Sequence, residues 1–312
     1  MAKILLQTTI PDTPDDWNVG RFSSLADELR RGGHDVTTRN RDVGEDDSTL
    51  STLDTLAYDQ LWLIAVDTGD GLSPNDAAGI MRFRDRGGGI LTARDHQDLG
   101  SCLLRLGSIA GLNHFHHKNP EPDARRDDRD NPGISWPNYH SGANGDYQPV
   151  FATEPVHELL QTTNSPSGRI EWFPAHPHEG AVSAPADDAR ARVIARGRST
   201  VTSRRFNLAV CLDGETNREG RPIGRAVACS TFHHFADMNW DTDAGAPSFV
   251  TDPPGDEMKR DPSRLAIFKD YVHNIARWLA SGPTARTSEQ SLLRWLTADR
   301  HTGRSDRPGV SA

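Results

Sequence analysis

Cysteine is scarce in these 312 residues: Cys102, Cys211 and Cys229 stand singly in apolar or mixed surroundings, without the paired spacing of a zinc knuckle or a redox motif. That excludes a disulfide scaffold and leaves three reduced, buried, structural thiols. Long apolar runs are missing as well. No segment approaches the roughly 18 to 20 apolar residues of a membrane span, and the opening MAKILLQTT is too short and too weakly charged for a secretory signal. The expectation is a soluble cytoplasmic protein with no membrane partner. Basic charge is in deficit, 35 Lys and Arg against 44 Asp and Glu for a formal net charge of -9, and no basic stripe interrupts it. A nucleic-acid partner would have to approach against an unfavourable field and is not expected. There is no internal repeat, no dinucleotide-binding glycine fingerprint and no HExxH. The glycines at 87–89 precede a strand and lack the lysine and hydroxyl residue of a phosphate loop.

What remains is a chain that is 35% hydrophobic, enough for a sizeable core. Lys3 to Leu6 reads as a strand, and Phe22, Leu25, Ala26 and Leu29 recur at helical spacing until Gly32 and Gly33 stop them. His34 to Arg39 is the next strand. LWLIAV (Leu61 to Val66) is continuously apolar, as befits a strand covered on both faces. Ser73, Pro74 and Asp76 then form a helix start, and Gly87 ends that helix before the strand GILTA. A helix over about 99–109, a short helix from Pro155 to Leu160, strands at RIEWF, ARVIARG, NLAVCLD and GRAVACST, and an amphipathic helix from Asp261 to Ala280 follow. This alternation predicts a three-layer, flavodoxin-like α/β fold: an open, mostly parallel sheet with helices on both faces, binding ligands beyond the carboxyl ends of its strands. The domain is expected to span 1–284 with a lid-like insertion at 113–149. A further helix around Gln290 to Ala298 and a polar tail would occupy 285–312.

Two strand ends carry the chemistry. GILTA runs straight into Arg94, Asp95, His96, Gln97 and Asp98, and GRAVACST into His233, His234 and Asp237. An imidazole titrates near neutrality and a neighbouring carboxylate fixes its tautomer, so Asp95, His96, His233, His234 and Asp237 are candidates for acid/base work. EWFPAHPHEG places His176 and His178 two apart, on one side of an extended segment. With Glu179 beside them and His114 to His117 in the insertion, nitrogen and oxygen donors abound. No ligand spacing is fixed, so no cofactor is implied; a divalent metal such as zinc is the one option left open. Arg94, Gln97, Trp136, Tyr139, His140, His176, His178 and Trp240 are candidate substrate contacts, because aromatic faces beside amides and charges suit a sugar or another small polar molecule. The bland alternative for each aromatic is packing over a core edge. The run Ala124 to Asp130 reads as a self-compensating solvated loop.

TARDHQDLG (Thr92 to Gly100) resembles the nucleophile turn of the class I glutamine amidotransferases, G-x-C-x-G-H-Q followed by leucine and glycine: His96, Gln97, Leu99 and Gly100 match. Ala93 stands at the cysteine position and Asp95 at a glycine. The family's second signature, Q-F-H-P-E, is matched at Phe232 and His233, with Phe235 where the glutamate belongs. Without the thiol, acyl-enzyme glutaminase chemistry is excluded. The trehalose-utilisation (ThuA-like) branch of the same superfamily also lacks the cysteine, and GGGILTA, TEPVHELL, IGRAVACSTFHH and YVHNIARWLA are similar to its pieces in order. The resemblance implies the superfamily's α/β fold and a link to sugar metabolism. The expected function is hydrolysis or isomerisation of a small polar, carbohydrate-derived molecule. The alternative is a non-catalytic module binding a ligand or a protein on a degenerate fold. A homo-oligomer is compatible with either.

Overall fold

The computed structural model describes residues 1–121, 123, 125, 128 and 138–280. The expected helix near Gln290, the polar tail and Trp136 lie outside the described residues. The strands are β1 (Lys3–Thr8), β2 (Asp35–Arg39), β3 (Gln60–Ile64), β4 (Gly89–Ala93), β5 (Asn113–His114), β6 (Tyr147–Pro149), β7 (Phe151–Ala152), β8 (Trp172–Pro174), β9 (Ala181–Val182), β10 (Ala191–Arg198), β11 (Arg205–Leu212) and β12 (Ala226–Cys229). The helices are α1 (Ser23–Arg31), α2 (Pro74–Asp85), α3 (Gly107–Ala110), α4 (Asp237–Trp240), α5 (Glu257–Arg260) and α6 (Pro262–Ala280).

Eight strands form one sheet in the order β2, β1, β3, β4, β12, β11, β10, β7. The first five run parallel, and β11, β10 and β7 add antiparallel pairs at one side. This is the flavodoxin-like α/β arrangement. Successive side chains of a strand point to opposite faces, so each central strand feeds two cores. Trp62 and Ile64 join Leu25, Leu29, Phe268, Val272 and Ile275 of α1 and α6 on one face; Leu61 and Leu63 join Ala77, Ile80 and Phe83 of α2 on the other. Each fully buried Leu, Ile, Val or Phe among these is worth about 1.5–3 kcal/mol. Helix α2 starts as its sequence dictates: the Ser73 hydroxyl accepts from Asp76 N, the Asp76 carboxylate accepts from Ser73 N, and Pro74 occupies the first turn.

Three expected elements come out differently. In place of one helix over 99–109 there is a 3-10 turn, Ser101–Arg105, followed by the four-residue α3. Gly100 and Gly107 have φ of 80° and 51°, left-handed values that no continuous right-handed helix accommodates. The strand expected at RIEWF is confined to β8 and pairs with β6 outside the main sheet, where Pro149 and Pro174 remove ladder donors. The short helix at Pro155 to Leu160 is a 3-10 turn at Glu158–Leu160 alone. The ends of the 113–149 insertion are tied down, β5 to β9 and β6 to β8. Among the described residues, no helix is long and apolar enough to cross a membrane.

The turn at Glu158–Leu160 carries a pH dependence. His157 Nδ1 accepts from Leu159 N at 3.2 Å, and its ring packs edge-on against Trp278. Burial, then the charges of Arg192 and Arg225, push its pKa from 6.5 down to about 4. The folded state favours the neutral ring, so the stability His157 contributes is complete above about pH 6.5 and is lost as pH falls toward 4. The melting temperature should fall through that window, and His157→Gln, which keeps a cap acceptor without the titration, should flatten the slope. An NMR titration placing the His157 imidazole near 6.5 would contradict this.

Candidate functional site

Asp95 and His233 belong to turns that leave adjacent parallel strands. Register pairs Ala93 of β4 with Cys229 of β12, and the ladder continues past both ends: Arg94 N donates to Cys229 O at 3.4 Å and Phe232 N to Arg94 O at 2.6 Å. The two turns are thereby held side by side at the carboxyl edge of the sheet. A third segment, Ala175–Gly180 after β8, is laid across them. Gly180 makes this approach possible, since a Cβ there would lie 2.5 Å from Asp95 O and 2.7 Å from Ser230 O.

The result is one carboxylate ringed by imidazoles. Asp95 is almost fully buried; its Oδ1 accepts from Thr231 Oγ1 at 2.7 Å. Its Oδ2 lies 2.9 Å from His96 Nδ1 and 3.6 Å from both His176 Nε2 and His233 Nε2. The rings of His176 and His233 stack with centroids 3.5 Å apart and planes 12° apart, and Trp17 packs edge-on against His233 at 4.7 Å. Burial alone would raise the Asp95 carboxyl, but His176, His96 and His233 outweigh it and hold the group well below the usual carboxylate range. Burial, followed by the neighbouring His176, pushes His233 well below its ordinary value, making it a neutral nitrogen base. His96 and His178, with side chains 22% and 20% exposed, form the accessible edge; His178 Nε2 lies 3.2 Å from Asp252 Oδ2. Burial, then His176, pushes the His178 imidazole down to about 4.

Two asparagines behind the stacked rings set their tautomers. The Ala175 carbonyl can only accept, so Asn239 Nδ2, at 2.9 Å, is the donor, and it also donates to Asn144 Oδ1 at 3.1 Å. Asn239 Oδ1 then faces His233 Nδ1 at 3.4 Å, and Asn144 Oδ1 faces His176 Nδ1 at 2.9 Å. With these oxygens as acceptors, Nδ1 carries a proton in each ring, and each Nε2 is turned toward Asp95.

The other expected residues are placed elsewhere. His234 is fully buried on the far side, with Nε2 2.9 Å from Glu179 Oε1, among Phe173, Phe235 and Phe268. Asp237 caps α1, accepting from Ser23 N, Ser23 Oγ and Ser24 N. The guanidinium of Arg94 is buried 4.0 Å above the Phe115 ring, its pKa brought down to about 9 by burial, and it donates to Ala181 O and Gln97 O. Tyr139 stacks on Phe206, His140 lies beside Thr200, and Trp240 Nε1 donates to His234 O. Gln97 forms the turn itself, with φ at 52°. Sequence reasoning missed Thr231, Asn144, Asn239, Trp17 and Asp252. Thr231 falls at the end of the expected strand GRAVACST and two residues past the end of β12; the asparagines carry no local signal.

The three thiols are all buried and unpaired with one another. Cys102, nearest the turn, donates from Sγ to Asp67 Oδ2 at 2.9 Å; burial, then Asp67, raises its pKa well above the thiol range. Burial raises Cys211 and Cys229 likewise, the latter to about 12. None is an available thiolate.

These features define a class by fold: the chain has a flavodoxin-like α/β fold, similar to that of a solved protein described as ThuA-like. No family model matches the sequence, and no curated protein matches it either. Among solved structures, a protein described as ThuA-like from Parabacteroides merdae is similar over 92% of each chain, at 16% identity and a TM-score of 0.52. Cytoplasmic protein STM3548 from Salmonella typhimurium matches at 12% identity and TM-score 0.47, over 90% of this chain and all of its own. The glutaminase domain of Trypanosoma brucei CTP synthase, solved with acivicin, matches at 11% identity and TM-score 0.43, over 90% of this chain and 97% of its own.

Two outcomes follow from the geometry. Gly180→Ala should cost about 1–3 kcal/mol in urea unfolding, the usual range for overpacking, because the new methyl group meets main chain on two sides. A wild-type midpoint for this variant would mean that the third segment does not lie against Asp95. The native protein should also release no ammonia from glutamine, and its thiols should react with a disulfide reagent only after unfolding; rapid labelling of Cys102 in the native state would refute their burial.

Proposed function

We propose that the Asp95 cluster is the working site of a cytoplasmic enzyme that hydrolyses or isomerises a small polar, carbohydrate-derived molecule. The single observation carrying this reading is Asp95 Oδ2 at 2.9 Å from His96 Nδ1, at the accessible edge of a site otherwise buried. Asp95 accepts the Nδ1 proton of His96 and thereby leaves His96 Nε2 as the base that faces solvent, the arrangement that general acid/base catalysis needs. His178 and Asp252 border the same edge and supply further polar contacts. The resemblance of GGGILTA, TEPVHELL, IGRAVACSTFHH and YVHNIARWLA to the trehalose-utilisation branch favours a substrate from sugar metabolism, and Ala93 at the cysteine position argues against amide hydrolysis through a thioester. His234 and Asp237 are given no part in proton transfer, since their polar atoms serve Glu179 and α1.

The test is turnover of a panel of disaccharides, keto-sugars and sugar lactones, followed by proton NMR. His96→Gln and Asp95→Asn should each lower kcat by about 100-fold or more, the range for loss of a positioned acid or base, while the fold is retained by circular dichroism. Turnover indifferent to both substitutions would remove the cluster from the chemistry. Thermal stabilisation by a panel member that is never turned over, and that survives both substitutions, would favour the binding-module reading instead.

A further inference from the structure

We infer that Asp95 Oδ2, His176 Nε2 and His233 Nε2 are the protein ligands of a divalent first-row metal ion, zinc or a close analogue. The inference deepens the reading of this cluster given above and rests on it for the site's purpose, though its own support is the donor geometry.

Among the described residues, this is the one group of three metal-ligating side chains that converges, with donor atoms all within 4.8 Å of one another. Tetrahedral zinc with bonds of about 2.0–2.1 Å separates its ligand atoms by roughly 3.4 Å. The two carboxylate-to-imidazole separations are 3.6 Å each. At that distance they are too long for hydrogen bonds. His176 Nε2 is buried and has no hydrogen-bond partner, although it is aimed at the carboxylate. A cation seated between the carboxylate and the two Nε2 atoms would turn these contacts, too long for hydrogen bonds, into bonds to metal.

The surroundings match what metal-binding histidines require. A ligating imidazole almost always donates its remote N–H to a carbonyl or carboxylate oxygen, which fixes the tautomer and ring orientation. Asn144 Oδ1 and Asn239 Oδ1 take that place for His176 and His233. Thr231 holds the non-ligating oxygen of Asp95, so that Oδ2 is the one presented. The 12° stack must open for both nitrogens to aim at one ion, a change of χ2 that the broad imidazole torsion permits. Two imidazoles and one carboxylate leave coordination positions free toward His96 and His178, where the hydroxyl or carbonyl oxygens of a polar substrate could enter.

The experiment uses the full chain, stripped with a chelator and dialysed. Cobalt(II) titration should give one equivalent of visible d–d absorption, displaced by one equivalent of zinc, and zinc should raise the melting temperature. His176→Gln and His233→Gln should each weaken zinc binding by more than about 100-fold, and Asn239→Ala by about 10- to 100-fold as a lost outer-shell partner. His157→Gln, remote from the cluster, should leave it unchanged. Should a ligand variant fail to fold, the wild-type cobalt spectrum and stoichiometry still decide. No uptake of cobalt or zinc by folded wild-type protein overturns the inference, as does uptake that both folded histidine variants retain. Turnover of the sugar panel that persists in chelator overturns the metal and spares the acid/base reading; stoichiometric metal without turnover of any panel member does the reverse.

Discussion

A carboxylate taken out of water governs this structure. Removing an ion such as Asp95 from solvent costs several kcal/mol after relaxation, and the cost is tolerated only where hydrogen bonds and opposite charge replace the lost hydration. The groups around it come mostly from outside Asp95's own turn: Thr231 and His233 from the turn after β12 and His176 from the segment after β8, with His96 supplied locally. Loss of any one of these segments would leave the charge uncompensated, so the site and the packing of three loops stand or fall together.

A second buried acid shows how the loops are kept in place. Glu179 accepts from Ser141, Gln148 and Ser230 and faces His234, all without solvent. One turn serves both acids: Ser230 and His234 at its ends engage Glu179, while Thr231 and His233 between them engage Asp95. Glu179 anchors the segment that carries His176, and Gly180 lets that segment touch the β4 turn. The two carboxylates therefore divide the labour, one buried in the scaffold and one turned toward the accessible edge.

Much of the frame was legible in local pattern. The capping residues Ser73, Pro74 and Asp76, the apolar run at β3 and the stripe on α6 each act over a few residues, through hydrogen bonds and periodicities that do not depend on distant partners. The strand end at Ala93 was legible for the same reason, and the late strand was placed to within two residues of its end at Cys229, and with them the interest of Asp95 and His233. What misled was equally local. Leu99 to Ile109 has helix-like spacing, yet Gly100 and Gly107 take left-handed conformations, and a Cβ on either would crowd Ala65 or Met81. His234 and Asp237 have the same composition cues as His233, and only the direction of each side chain separates them.

By itself the sequence determined the types of the central strands and of the helices α1, α2 and α6, the two-faced hydrophobic alternation of the central strands and the absence of a thiol at position 93, because these depend on residue identity and short-range periodicity. Tertiary structure alone decided that His176 would stack on His233, that Asn144 and Asn239 would set both tautomers, and that His234 would turn to Glu179. Those outcomes hinge on strand register and on loops crossing one another, where a rotation of one residue exchanges a core-facing side chain for a site-facing one.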